Sequence, residues 1–275
     1  MKFWELQHPD YESDYQLEYI NGSLEHPFSL PGVKCSVCGE TWGGSRILPY
    51  ECPPEMRNHK HLRSAWAIPL EQHKALQKDV LVKLKEQGAS VCELFPGDSF
   101  QPCYLDVPSK PRADFLWACL GSLVVSERIK NLLLEHCGND IACCEVVLRR
   151  IGKLEASLPA PIPSTGEPED MVEEVPLTSD RKDVGRYFEI CILKESDWPP
   201  GGAPERICTG CGRPEVNTYK REIRMTAGMW RGEQMFLLAT TLYVIVTDDL
   251  KRILESARPT NVVFSKIWQD EGISV

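Results

Sequence analysis

Phe115-Leu-Trp-Ala-Cys-Leu-Gly-Ser-Leu-Val-Val-Ser-Glu-Arg-Ile-Lys-Asn-Leu-Leu-Leu134 aligns without a gap on Phe236-Leu-Leu-Ala-Thr-Thr-Leu-Tyr-Val-Ile-Val-Thr-Asp-Asp-Leu-Lys-Arg-Ile-Leu-Glu255, at a constant offset of 121 residues. In each segment a β-branched apolar run, Leu123 to Val125 or Val244 to Val246, reaches a hydroxyl residue, Ser126 or Thr247, of the kind that caps a helix. Glu127 and Asp248 follow in the first turn, where negative charge complements the helix dipole. Apolar residues then recur at helical spacing, Ile129, Leu132 and Leu133 against Leu250, Ile253 and Leu254. A breaker, Gly138 or Pro259, precedes a second strand-like run, Ile141 to Leu148 or Val262 to Ile267. Each copy therefore reads as strand, capped helix, strand. Strand-helix units share some patterning by class, but the matched cap, lysine and apolar positions favour duplication. Two copies do not make a solenoid, which needs three or more units to bury a continuous core.

Outward from this pair, Glu155 to Pro176 is rich in proline and acid, lacks periodicity and reads as a linker or excursion. The expected organisation is an N-terminal half over 1–154, a linker over 155–180 and a C-terminal half over 181–275, the halves forming one compact unit. A further amphipathic helix is predicted from about Leu70 to Gln87, with Pro69 in its first turn, Leu76, Val80, Leu81 and Leu84 on one side and Gly88 as its stop. Strands are predicted at Arg186 to Leu193 and Thr218 to Met225 besides those of the repeats, so the fold class is α+β.

Two motifs share one form, Cys35-Ser-Val-Cys38-Gly39 and Cys208-Thr-Gly-Cys211-Gly212. Two residues between thiolates let a tight turn present both sulfurs to one ion, and the glycine after them permits the backbone to leave the turn. Composition alone predicts roughly 0.04 such matches in a chain with 12 cysteines and 19 glycines. One knuckle supplies half of a closed four-ligand site, so the economical arrangement is a single structural zinc shared by Cys35, Cys38, Cys208 and Cys211, joining distant segments. A redox-active CxxC or a disulfide within each knuckle are the alternatives, and neither motif has thioredoxin-like surroundings. Four thiolates leave no open position for catalytic zinc.

A formal charge of -9 and a pI near 5.3 argue against nucleic-acid binding by phosphate neutralisation and suit a basic partner better. No run of about 18 apolar residues predicts a membrane span, and the opening Met1 to Asp10 lacks the apolar stretch of a secretory signal, so a cytoplasmic protein is expected. The eight cysteines outside the knuckles read as reduced thiols, Cys119 and Cys191 in apolar runs among them. His59-Lys60-His61 reads as an exposed loop, His73 as a surface or boundary helix residue, and at least one of Cys143 and Cys144 as packing. Pro199-Pro200-Gly201-Gly202 reads as a turn, lacking the lysine and hydroxyl of a phosphate loop. Trp42, Trp66, Trp117, Trp198, Trp230 and Trp268 read as core or interface anchors. No nucleophile, base and stabilising group share a neighbourhood, and no enzymatic activity is expected.

Widely separated CxxCG motifs with an intervening Asp114-Phe115-Leu…Val125-Ser126-Glu127-Arg128 segment resemble the double-CXXCG motif family of myxobacteria over nearly the whole chain. Members of that family include immunity proteins of Sit toxin systems, which protect a cell from lipoprotein toxins delivered by outer-membrane exchange between siblings. The resemblance carries over Cys35, Cys38, Gly39, Cys208, Cys211 and Gly212, and implies an antitoxin-type protein that binds a cognate protein toxin. It transfers no toxin-contacting residue. A zinc-stabilised regulator or adaptor is the alternative, and an enzyme whose site is scattered along the chain a third.

Overall fold

The structure, a computed structural model, describes residues 2–9, 21–64, 66–107, 110–119, 121–150, 186–198, 204, 206–215, 227–239 and 241–267. The expected linker, the expected strand from Thr218 to Met225, the turn at Pro199 to Gly202 and Trp268 lie outside these residues. Within them the fold is mixed α+β, with three α-helices and several small sheets.

Two four-stranded antiparallel sheets carry the aligned segments. In one, the spatial order is Phe115–Leu116, Val124–Ser126, Tyr187–Ile192, Ile141–Glu145. In the other it is Met235–Leu237, Val244–Thr247, Phe3–Gln7, Val263–Lys266. Each sheet therefore takes a central strand from the other half of the chain: Tyr187–Ile192 pairs with Val124–Ser126, and Phe3–Gln7 pairs with Val244–Thr247. Helix α2 (Glu127–Cys137) and helix α3 (Asp248–Ser256) follow directly on the β-branched strands and touch each other. Their inner residues Ile129, Leu133, Leu250 and Leu254 are fully buried in one cluster with Leu6, Val125, Ile190 and Val246, drawn from both sheets. Burying four such side chains contributes roughly 1.5–3 kcal/mol each.

The caps of the two helices differ. Thr247 Oγ1 accepts the Leu250 amide at 3.2 Å, as a helix cap should. Ser126 makes no cap bond, contrary to its sequence reading; its hydroxyl donates to Asp114 Oδ1 at 2.9 Å. Asp114 also takes Arg128 at 2.5 Å and the Thr260 amide at 3.0 Å, so it links the first segment to the end of the second. The aligned position in the second segment is Met235, which offers no carboxylate to capture the hydroxyl.

The run Ile141 to Leu148, expected as one strand, is divided. Ile141–Glu145 stays in the first sheet, while Val147–Arg150 pairs in parallel with Tyr104–Val107, which also holds Ser23–Glu25. Val146 turns between them, its amide donating to Tyr187 O.

Helix α1 (Leu70–Glu86) ends at Gln87, and Gly88 leaves it with φ +83. Pro69 sits at the cap, one residue ahead of the first turn. Leu76, Val80 and Leu84 pack on Leu30, Leu48, Leu62 and Phe100, in a core fed by the strands Phe28–Ser29, Ser99–Gln101 and Ile47–Glu51. His73, expected at the surface, is only 2% exposed, and burial lowers its pKa. It falls on the inner stripe three residues after Leu70 and three before Leu76, so the helical period carries it inward.

Candidate metal centre

Each knuckle is the tip of a minimal hairpin. Val33–Lys34 pairs with Thr41–Trp42, and Arg206–Ile207 pairs with Pro214–Glu215. Inside each tip the bonds are the same: Cys35 N donates to Glu40 O and Gly39 N to Cys35 O, while Cys208 N donates to Arg213 O and Gly212 N to Cys208 O, all at 2.8–2.9 Å. Gly39 and Gly212 take φ of +78 and +74, the left-handed region that a side chain would strain. The first knuckle is tied to the body, because Val33–Lys34 also pairs in parallel with Ile68–Pro69 at the start of α1. Val33, Cys35 and Leu70 form a small core there, with Trp42, Cys208 and Cys211 against it.

The fold brings both tips together. Cys35 Sγ lies 3.7 Å from Cys208 Sγ, Cys38 Sγ lies 3.9 Å from Cys211 Sγ, and all four sulfurs fall within 4.8 Å of one another. A tetrahedral ion with metal–sulfur bonds of about 2.3 Å spaces its sulfurs about 3.8 Å apart. The group can therefore hold a metal ion with little movement. None of the twelve cysteines forms a disulfide, and Cys35 is buried while Cys38 is exposed.

The sulfurs are electrostatically unequal. Amide donation from Cys38 lowers the Cys35 thiol, and that from Cys211 holds Cys208 down at about 6. Cys38, despite the lowering pull of the Glu40 amide, is pushed up to about 11 by desolvation and by the neighbouring sulfurs. Desolvation likewise raises Cys211, although Trp42 Nε1 donates to its sulfur at 3.2 Å. In each knuckle the first thiol is lowered by backbone amides and the second is raised by desolvation and neighbouring sulfurs, a conflict that a bound dication resolves.

Sequence reading did not find the contacts between knuckles. Val37 and Gly210 occupy equivalent places in Cys35-Ser-Val-Cys38 and Cys208-Thr-Gly-Cys211, and they face each other: a Cβ on Gly210 would lie 2.6 Å from Val37 Cγ2, 2.8 Å from Val37 Cβ and 3.2 Å from Cys35 Sγ. Only one of the two positions has room for a side chain. Gly210→Ala should therefore destabilise the protein by about 1–3 kcal/mol through overpacking, and adding Val37→Gly should recover most of the loss. Thermal unfolding of the two variants checks this; equal midpoints for Gly210→Ala and the parent would show that the knuckles do not interlock. Arg213 and Glu40 add an exposed ion pair at 3.5 Å across the same seam, of small energetic weight.

Other residues singled out from sequence lie elsewhere. His59 and His61 sit in a turn-rich loop with ring centroids 5.6 Å apart, outside the metal-ligand groups of the described residues. Cys143 packs on the shared core and Cys144 lies 4.0 Å from Cys191. Cys191 is buried as expected, but Cys119 is exposed, and Trp66, at 84% exposed, is not a core residue. Cys119 stands at a bend and Trp66 in an irregular stretch, both outside any regular element, where an apolar neighbour in sequence does not ensure burial. A second group, His26, Cys103 and Glu189, brings three ligand-type atoms within 4.8 Å of one another, and no spacing in the sequence signals it. No protein-family model matches the chain, and no curated protein matches it.

Proposed function

We propose that this chain is an immunity-type binding protein: a structural zinc on Cys35, Cys38, Cys208 and Cys211 fixes its frame, and the frame neutralises a cognate protein toxin by stoichiometric binding. The observation that carries the reading is the four-sulfur group, with cross-knuckle spacings of 3.7 and 3.9 Å matched to a tetrahedral thiolate site. Zinc suits this donor set, since four thiolates with no open position give a structural ion and no Lewis-acid chemistry. The toxin as partner rests on the resemblance to the double-CXXCG family. The charge of -9 suits a basic toxin domain, whose encounter it would accelerate. No helix among the described residues is long and apolar enough to cross a membrane, and the toxin would be met in the cytoplasm.

Duplication belongs to the same proposal. The 121-residue offset that aligns the sequences also relates the pairing: Glu145, Cys144 and Cys143 face Phe188, Glu189 and Ile190, while Lys266, Ser265 and Phe264 face Trp4, Glu5 and Leu6. The inserted strands then correspond as Tyr187-Phe-Glu-Ile190 and Phe3-Trp-Glu-Leu6, aromatic, aromatic, glutamate, aliphatic in each. Two copies of one unit, each with a knuckle, exchange their first strands and meet at the metal.

Survival of cells expressing the toxin of the adjacent upstream gene, measured against the level of this protein, tests the function together with capture of the toxin domain. Protection should rise to completion near equimolar levels, with a 1:1 complex. Full protection far below equimolar levels without a complex would establish turnover instead, and absence of both protection and complex would favour an adaptor with another partner.

A further inference from the structure

Three sheets converge on a buried polar group far from the knuckles. His26 follows the strand Ser23–Glu25, Gln101 ends Ser99–Gln101, Cys103 precedes Tyr104–Val107, and Glu189 lies in the middle of Tyr187–Ile192. Cys103 and Glu189 are fully buried, Gln101 is 5% exposed, and the His26 side chain, at 12%, is the most exposed of the four. His26 Nε2 lies 2.9 Å from Glu189 Oε2, and Gln101 Nε2 donates to the same oxygen at 2.9 Å. Among the described residues neither Glu189 Oε1 nor Gln101 Oε1 makes a hydrogen bond of ordinary geometry, although the Cys103 thiol neighbours the carboxylate. A buried acceptor left unsatisfied costs about 1–3 kcal/mol, more when it is charged, and a carboxylate is seldom held at zero exposure on one histidine and one amide. The ligand atoms of His26, Cys103 and Glu189 already lie within 4.8 Å of one another.

We propose that His26, Cys103 and Glu189 form a second metal site, for a divalent ion of the zinc type. One imidazole, one thiolate and one carboxylate are the mixed donor set that such borderline ions accept. The unpartnered lone pairs of Glu189 Oε1 are what the ion takes up, and Gln101 holds the other carboxylate oxygen in place, the role that outer hydrogen bonds play at metal sites. Binding breaks the Cys103 S–H bond, forms a sulfur–metal bond and releases that proton to solvent. His26 coordinates through Nε2 as the neutral imidazole, its proton on Nδ1. His26 gives the ion its way in, and the fourth position remains for a small exogenous ligand. Since Glu189 lies beyond residue 154 and its partners before it, this ion also joins the two halves.

Elemental analysis of the full chain, purified reduced from zinc-supplemented medium, tests the site. Two zinc ions per chain are expected in the parent, and one in Cys103→Ser and in Glu189→Gln. After cobalt substitution the sulfur-to-metal charge-transfer band, carried by five thiolates in the parent, should fall by about one fifth in both variants. If Cys103→Ser does not fold, Glu189→Gln decides, because it keeps the side-chain volume. One ion in the parent with an unchanged count and cobalt band in Glu189→Gln would overturn the second site and leave the knuckle site standing. One ion that disappears in Glu189→Gln while the parent lacks a four-thiolate spectrum would overturn the knuckle site instead. Two ions in the parent and two in Glu189→Gln would place the second ion elsewhere and overturn the proposal.

Discussion

Serine at Cys35 and serine at Cys208 are expected to lower the thermal midpoint by similar, large amounts, roughly 10–20 °C, and to release the same ion. A metal shared by the knuckles closes a loop of the 173 residues that separate Cys35 from Cys208. In the chain-entropy description, closure on that scale stabilises by on the order of 5 kcal/mol, comparable to the net stability of a small domain. Losing either thiolate opens the same four-ligand group, so the two variants should match in midpoint and in zinc content. Chelation of the parent should reproduce the shift, and excess zinc should reverse it in the parent but not in the variants, since a ligand bound only by the folded state stabilises by mass action. Differential scanning calorimetry with elemental analysis makes the comparison. A loss confined to one knuckle's variants would mean independent knuckles; unchanged midpoints in both would mean that the sulfurs hold no structural ion.

What the sequence made legible was local. The stripe Leu76, Val80, Leu84 fixed α1 because its period matches burial on one face, and the same pattern located Ile129 and Leu133, then Leu250 and Leu254, all now buried. CxxCG spacing located the four sulfurs that cluster, because two sulfurs and a left-handed glycine are a local requirement. Strand partners were not legible. An alternating run reports that a face is buried without saying against what, so nothing in Phe3–Gln7 announces that Trp4 pairs with Val246 and Lys266. The two-residue strands of the knuckle hairpins are too short to carry a period at all. Ser126 looks like a cap until Asp114 is placed beside it, and the group of His26, Cys103 and Glu189 exists only through the meeting of three sheets.

The exchange of central strands leads to the second large effect. Expressed alone, fragments 1–154 and 155–275 are each expected to leave their four-stranded sheet unformed, and co-expressed they should assemble as a 1:1 complex that retains zinc. Fragment 1–154 lacks Tyr187–Ile192, the strand between Val124–Ser126 and Ile141–Glu145, so its sheet is reduced to a short hairpin and a separate edge. Fragment 155–275 lacks Phe3–Gln7, which stands between Val244–Thr247 and Val263–Lys266. Two-stranded remnants are marginal in water. They would also expose the fully buried Val124, Val125, Ile245 and Val246 on open strand edges, which favours aggregation. In the complex each sheet regains its centre, the cluster around Ile129 and Leu250 closes, and the four sulfurs meet. Size-exclusion chromatography and amide hydrogen exchange at Val124–Ser126 and Val244–Thr247 follow the assembly. A monomeric 1–154 fragment that unfolds cooperatively by itself, with protected amides at Val124–Ser126, would show that the first sheet does not depend on the strand from the other half.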